Sequence, residues 1–359
     1  MGTRSLSLPR VMGRRDRGME TFEEMKGAGV DRVLFLADSD SGLRAMLVID
    51  SLALGPATGG IRCRAYPSFH HALSDARRLA SAMTLKCAIA GLDAGGAKTV
   101  ILDHRGLSRA DAFRRLGGFI EDLRGLYWTA GDLGTTQADL EAAAEATRYV
   151  NMGGARLGEA TGRTVVNGIR ACVRARGGRD LTGISVAVQG CGLIGGGVAR
   201  ALAAEGAALI VSDVSRARAE AVAAETGAAI LEPDQLLSAP VDIVSPCALG
   251  GVVTREAVET MRAWAICGGA NNQLSEAGDI GRALAQAGIL YVPDFLASSG
   301  AVITGIAGPV MNREPEPFLD ATFETAEAVL CESARFRIPT AQVAEKMARA
   351  RIAGPRSSH

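Results

Sequence analysis

The spacing of apolar residues changes character near Leu157. Before it, Asp31–Ala37 and Arg44–Ile49 are apolar runs of strand length joined by a turn-rich loop, Asp38–Gly42. A third extended element is expected at Gly55–Arg62. From Ser68, a candidate N-cap, the apolar positions Phe69, Ala72, Leu73, Ala76, Leu79, Ala80 and Met83 recur at helical spacing. The helix they predict carries Lys86 near its C-terminal end. Thr99–Leu102 reads as a short strand, Ser108–Leu126 as an amphipathic helix, and another helix is expected to begin near Gln137.

Beyond Leu157, strands and helices alternate regularly, the pattern of a parallel, doubly wound sheet. Thr164–Ala175 predicts a helix, Ile184–Gln189 a buried strand, and the segment through Val198, Ala199 and Leu202 a second helix. Ala208–Ser212, Ile243–Cys247, Ala263–Cys267 and Ile289–Val292 predict further strands. Pro315–Arg335 reads as one long helix able to return the chain to the first domain. The expected fold class is therefore α/β, with two domains and a cleft between them. An N-terminal α/β domain spans 19–157, a Rossmann-type doubly wound domain spans 158–335, and a C-terminal helix over 336–359 returns to the first.

The strand ending at Gln189 runs at once into Gly190-Cys-Gly192-Leu193-Ile194-Gly195 and a helix. The next strand ends in Asp213, about twenty residues past the glycine turn, where a dinucleotide-binding unit keeps its ribose-binding acid. Gly190 permits the tight turn, Gly192 lets backbone approach a pyrophosphate, and Gly195 lets the helix pack on the strand. Asp213 accepts hydrogen bonds from two ribose hydroxyls and repels a 2′-phosphate, which favours NAD; Arg216 and Arg218 close behind are the feature that would favour NADP. Later strands run into loops holding Cys247 and Ala248, Asn271 and Asn272, and Ser298-Ser299-Gly300. In an open parallel sheet, such loops line the ligand cleft.

Composition narrows the partners. Of 359 residues 48% are apolar and 22% charged, as in ordinary globular proteins, and 39 Lys+Arg balance 39 Asp+Glu. That balance gives no field to draw nucleic acid or an anionic membrane. The seven cysteines include no CxxC and the four histidines no HxxxH, so no zinc site is expected. Scattered thiols in apolar runs fit a reducing, cytoplasmic setting. No apolar run reaches the ~18 residues a membrane helix needs. Residues 1–18 carry five arginines against one acid and lack an apolar core, which predicts a disordered arm, with Met19 the expected true start.

The stretch Met83–Val100 places Lys86 and Lys98 among Ala, Leu and Gly. Two readings stand for these lysines. Burial would lower their pKa and suit them to hold a carboxylate or act as a base; alternatively both snorkel from the ends of short elements. Asp132, in TAGDLGTT ahead of the helix near Gln137, is likewise either a helix cap or a functional carboxylate.

The motifs GPATGGIR, MTLKCAIAGLDAGGAKTVI, TAGDLGTT, VQGCGLIGGG, SPCALGG and GGANNQL run in order from Met19 to about Ile303. Together they resemble the leucine/phenylalanine/valine branch of the glutamate dehydrogenase superfamily, oxidative deaminases of L-amino acids. The resemblance implies that Lys86 binds the substrate α-carboxylate, that Lys98 activates the attacking water, and that Asp132 shuttles a proton to and from the amino nitrogen. It implies that Gly59 and Gly60 bring backbone against the substrate, that Asn272 contacts it, and that Thr161 and Asn271 lie near the nicotinamide. Lys86 is expected to stay charged and Lys98 to have the lowered pKa.

Glutamate enzymes carry a lysine where this chain has Thr58, so glutamate is not the expected substrate. Ala130 and Val302 fall where the leucine-type enzymes resemble the chain most, which favours a branched aliphatic amino acid, and Met83 is a further candidate substrate contact. Thr58, Gly131 and Ser298-Ser299 depart from the usual pattern and leave phenylalanine or tryptophan as alternatives. The reaction implied turns an L-amino acid, NAD and water into a 2-oxo acid, ammonium and NADH. A homo-oligomer assembled through the N-terminal substrate-binding domain is also implied. A catalytically silent NAD-binding regulator on the same fold is the rival of another class.

Overall fold

The computed structural model describes residues 30–153 and 155–354. The arginine-rich arm and the expected start at Met19 lie outside them. The first sheet holds β1 (Arg32–Asp38), β2 (Leu43–Ser51), β3 (Ala57–Arg64), β4 (Gly95–Leu102) and β5 (Tyr127–Gly131), in the order β1-β2-β4-β3-β5. β3, β4 and β5 run parallel, and β1 and β2 add an antiparallel hairpin along one side.

Helix α1 (Phe69–Ile89) starts where expected, with the Ser68 hydroxyl accepting from the His71 N–H. It covers one face of the sheet, where Ala72, Leu73, Ala76 and Ala80 pack on Met46, Val48 and Val100. Helices α2 (Arg109–Asp122) and α3 (Gln137–Ala144) cover the other face, over Leu47, Ile49, Ala97 and Ile101. α2 stops four residues short of the expected Leu126, because Arg124 and Gly125 both adopt left-handed backbone.

Contact between α1 and β4 is unusually close. A Cβ on Gly96 would lie 2.1 Å from the Thr84 nitrogen and 2.5 Å from the Ala80 carbonyl oxygen. Lys86 of α1 and Lys98 of β4 lie near this contact, close enough that the Lys98 charge acts on Lys86.

Helix α4 (Ala155–Ala175) leads into the second sheet and begins nine residues earlier than its apolar pattern predicts. Gly158 and Gly162 dilute that pattern, yet they are the positions where α4 meets Leu193 and Val198. The second sheet comprises β6 (Ser185–Gln189), β7 (Ala208–Ser212), β8 (Ala229–Ile230), β9 (Ile243–Pro246), β10 (Ala265–Ile266) and β11 (Leu290–Tyr291). All run parallel, in the order β11-β10-β9-β6-β7-β8. That order reverses at β6, which makes the β6–β9 junction the ligand-binding switch point of a doubly wound fold. Helices α5 (Leu193–Ala204), α6 (Arg216–Thr226), α7 (Arg255–Thr260) and α8 (Ala277–Ala287) connect these strands. Short α9 (Asp294–Ala297) and α10 (Gly300–Ala307) follow.

The expected long helix Pro315–Arg335 is instead two, α11 (Glu316–Asp320) and α12 (Thr322–Phe336), and α12 packs on α4. The chain returns to the first domain one helix later, through α13 (Thr340–Ala353), which packs on α1. Left-handed Arg337 and then Pro339 separate α12 from α13. Arg351 of α13 donates to the carbonyls of Gly91 and Leu92 and pairs with Asp93, tying the C-terminal helix to the end of α1. No helix of the described residues is long and apolar enough to cross a membrane.

The Gly96 contact yields a stability prediction. Gly96→Ala forces α1 off β4 and is expected to cost about 3 kcal/mol, read as a lowered denaturation midpoint. A midpoint equal to that of the parent would show that the two backbones are not in contact.

Candidate active site

Polar groups collect on the α1 face of the first sheet. Side chains alternate across a strand. Thr58 and Arg62 of β3 therefore share a face with Gly96 and Val100 of β4, and Gly60, beside Ala130 of β5, lies between them. Lys98 projects from this face with only 5% of its surface exposed. Its Nζ lies 2.9 Å from Asp132 Oδ2, just past the end of β5. The surface reading of Lys98 is thereby removed.

Asp132 is not a helix cap. Thr136 caps α3 in a reciprocal box with Asp139, whose carboxylate also pairs with Arg109. Asp132 instead receives two cations on one oxygen: Lys98, and the Arg62 Nε at 2.7 Å. Burial alone would raise its carboxyl pKa; Lys98 and Arg62 outweigh burial and hold it below the usual range. Burial pushes Lys98 below the ordinary lysine range, against the pull of Asp132, with the Arg62 charge adding to the downward shift.

Lys86 is half-buried, and its Nζ donates to Asn271 Oδ1 and Ser298 Oγ, both at 3.0 Å. The ammonium thus reaches from α1 to two loops of the second sheet. Burial lowers its pKa as well, so the expected contrast between a charged Lys86 and a shifted Lys98 is not seen as a difference in direction. Asp294 is the chief charge opposing the shift at Lys86.

The two loop amides have different partners. Asn271 is the one that meets Lys86, while Asn272 is exposed in left-handed backbone, with its N–H donating to Asp294 Oδ2. Thr58 is buried, and Ala130 lies directly opposite Gly60. A Cβ on Gly60 would lie 3.0 Å from that of Asp132, so Gly60 keeps half-buried backbone beside the carboxylate. Gly59 is buried, a Cβ there would strike the Ala97 carbonyl, and its own carbonyl accepts from the Tyr127 and Thr129 hydroxyls, so the expected substrate contact at Gly59 is not seen. Met83 of α1 and Val302 of α10 pack on one apolar cluster with Cys87, Ala160 and Ile303. They form an apolar boundary between the two domains.

The glycine turn has the shape of a dinucleotide cradle. Gly190 is left-handed at φ 92°, and a Cβ there would lie 2.8 Å from that of Ala248. A Cβ on Gly195 would fall 1.9 Å from the Gly190 carbonyl oxygen, which confirms the close packing of helix on strand. Above Gly192 the space is open and no side chain caps α5, so Leu193 and Ile194 present first-turn N–H groups. Asp213 stands at the end of β7, its carboxylate accepting from the N–H groups of Cys191 and Ser215, each at 2.7 Å. These features fit a nicotinamide dinucleotide. Cys247 and exposed Ala248 follow β9, with the Cys247 Sγ accepting from the Gly269 N–H. Thr161 lies in α4, its hydroxyl donating to the Leu157 carbonyl and accepting from the Ala301 N–H.

Arg62, Asp75 and Asp294 carry no assignment from the sequence, although the structure brings all three to the cleft. Alternation alone would have found Arg62, which is two and four residues beyond Gly60 and Thr58.

With the geometry in place, comparison with known proteins identifies its class. Residues 31–149 match the Glu/Leu/Phe/Val dehydrogenase dimerisation domain, and residues 211–326 match the Glutamate/Leucine/Phenylalanine/Valine dehydrogenase domain. A leucine dehydrogenase of Geobacillus stearothermophilus is 39% identical over 347 residues, 93% of this chain and 94% of that protein. A phenylalanine dehydrogenase of Bacillus thermotolerans is 37% identical over 86% of this chain and 83% of its own. The crystal structure of L-tryptophan dehydrogenase from Nostoc punctiforme superposes with a TM-score of 0.84 at 33% identity, covering 92% of this chain and 98% of that one. The chain belongs to the glutamate/leucine/phenylalanine/valine dehydrogenase family, and it is an oxidoreductase acting on CH–NH2 donors.

The shared carboxylate predicts a pH-dependent stability. Asp132→Asn leaves Lys98 without its counter-charge and Arg62 with Asp75 alone, and is expected to cost about 2 kcal/mol at pH 7. A carboxyl with a lowered folded pKa stabilises above its unfolded value and loses that contribution as pH falls through the folded one. The gap between parent and variant should therefore hold down to about pH 4 and close below it. Thermal midpoints measured from pH 7 to pH 3 test this, and a gap constant across the range would refute it.

Proposed function

We propose that the protein catalyses the reversible, NAD-dependent oxidative deamination of a branched-chain aliphatic L-amino acid to its 2-oxo acid and ammonium. The observation that carries this reading is buried Lys98 in contact with Asp132, on a glycine-lined face that also presents Lys86. Lys86 holds the α-carboxylate through charge-assisted hydrogen bonds, exchanging Asn271 and Ser298 for the substrate. Asp132 accepts a proton from the α-ammonium and returns it to the leaving ammonia. Lys98, in its neutral form, removes a proton from the water that attacks the imino carbon. Gly60 lets the substrate lie against bare backbone. Bound NAD supplies the hydride acceptor. Leu193 and Ile194 N–H groups face its phosphates, and Asp213 takes its ribose hydroxyls, favouring NAD over NADP. Thr161, Cys247 and Ala248 border the nicotinamide end of the cleft.

Substrate choice rests on the apolar boundary. Buried Thr58 supplies no charge for a side-chain carboxylate, which would cost several kcal/mol to bury unpaired. Met83, Ala130 and Val302 suit an aliphatic side chain, and leucine dehydrogenases are among the similar proteins. A second reading, an aromatic amino acid, is supported by the superposition on the L-tryptophan dehydrogenase structure.

A panel of L-amino acids assayed for NADH formation at alkaline pH tests both readings. Leucine, valine or isoleucine should give the highest kcat/KM, and Lys98→Ala should lower kcat by about 10²- to 10⁴-fold. Absence of turnover on every amino acid, as a silent regulator would give, or full turnover by Lys98→Ala, would defeat the proposal. Cofactor choice is tested in the same assay: NAD should exceed NADP in kcat/KM, and Asp213→Ala should narrow the ratio.

A further inference from the structure

Lys98 and Asp132 do not stand alone. The Arg62 guanidinium, whose side chain is 15% exposed, bridges two carboxylates with different nitrogens: Nε donates to Asp132 Oδ2 at 2.7 Å and Nη1 to Asp75 Oδ2 at 3.0 Å. Asp75, on α1, also accepts from Tyr66 Oη at 2.7 Å and from Arg78 Nη2 at 2.8 Å. Tyr66, Asp75, Arg62, Asp132 and Lys98 therefore form one continuous chain across β3, α1 and the end of β5. Both Arg62 and Lys98 approach the same oxygen of Asp132, and Oδ1 accepts from no described residue.

We propose that Arg62, fixed by Asp75, is a positioning residue for the reaction: it pins Asp132 by Oδ2, leaves Oδ1 for the amino group, and biases Lys98 towards its neutral form. This rests on the roles given above to Lys98 and Asp132. The argument is one of charge. An arginine keeps its proton at every working pH. With Arg62 in place, the two carboxylates have a permanent cation between them, and Lys98 can release its proton without leaving them unopposed. Without Arg62, Lys98 becomes the nearest cation to Asp132 and must stay protonated to balance it.

The groups facing Lys98 are few. Asp132 and Asp75 favour its charged form, Arg62 opposes it, and Lys86 on α1 adds a like charge across the face. From the second domain, Asp294 acts on Lys86. A purely structural ion pair joining β3 to α1 would need only the Arg62–Asp75 half of the chain. The Asp132 half adds a contact with the one carboxylate that also meets Lys98.

Two variants separate these roles by sign. Arg62→Gln removes the opposing cation, so the acid limb of the kcat profile for deamination should move up by about one pH unit, with kcat more affected than KM. Asp75→Asn leaves Arg62 less neutralised, so the same limb should move down. Arg62→Lys keeps the charge and should restore a limb close to that of the parent. Circular dichroism confirms folding, and should Arg62→Gln fail to fold, the downward shift in Asp75→Asn still carries the test.

A readout independent of turnover is the pH dependence of Lys98 acetylation by acetic anhydride, followed by peptide mass spectrometry; a cleft that admits an amino acid admits this reagent. Its half-point should shift in the same two directions. Inactive parent enzyme with these labelling shifts would defeat the proposed reaction and leave the role of Arg62 on Lys98 standing. Active enzyme whose limb stays unmoved in folded Arg62→Gln, or moves the same way in both variants, would overturn the inference about Arg62 alone.

Discussion

The site depends on a single carboxylate oxygen that serves two cations. Asp132 Oδ2 takes both Lys98 and Arg62 in a half-buried position, where charge interactions are several times stronger than in water. Lys98 could not stay charged there without it, because an unpaired ammonium in that setting gives up its proton or moves to solvent, whereas Arg62 also has Asp75. The pair also explains why the surrounding residues are small. Gly60 cannot carry a side chain beside Asp132 without contact at 3.0 Å, and Gly96 cannot carry one under α1. Tight backbone packing thus keeps water from screening the charges, and the charges in turn fix the end of β5.

The second sheet completes this arrangement. Its parallel strand order reverses at β6, and the loops that leave the carboxyl ends of β9, β10 and β11 face the first domain. One of them supplies Asn271 and the next supplies Ser298, and both meet Lys86. The glycine turn after β6 opens onto the same side. A doubly wound sheet therefore brings a dinucleotide cradle and a lysine-bearing wall together with no need for a long connecting loop.

Much of this was legible in the sequence, because local patterns carried it. The β6–α5–β7 unit announces itself through an apolar strand, three spaced glycines and a terminal acid, each required by close backbone approach. Ser68 and the apolar spacing after it define α1 nearly to the residue. Other features were hidden because they depend on partners distant in the chain. Asp132 looked like a possible cap although the T-x-x-D box of Thr136 and Asp139 already satisfied the helix start. The different partners of Asn271 and Asn272 go with a left-handed backbone at Asn272, which spacing does not announce. The division of Pro315–Arg335 between α11 and α12 is a one-residue interruption at Ala321, which apolar spacing does not register. Arg62 was within reach of strand alternation from Thr58 and Gly60, but its partners Asp75 and Asp132 are set by the fold and not by spacing.

Lys86 links the electrostatics to the geometry of the cleft. Its ammonium bonds to loops of the second domain while its helix packs on the first, so it spans the boundary that a substrate must enter. In the proposed reaction an incoming α-carboxylate replaces Asn271 and Ser298 as its partner. Two neutral acceptors are then exchanged for an anion, a stronger partner for the charged form of the lysine. A ligand shifts an equilibrium only by its differential affinity for the states involved. Because the amide and hydroxyl released from Lys86 belong to the domain that also holds the dinucleotide cradle, carboxylate binding and the position of that domain are coupled through one side chain. Substrate capture and cleft geometry are then two aspects of the same change in hydrogen bonding.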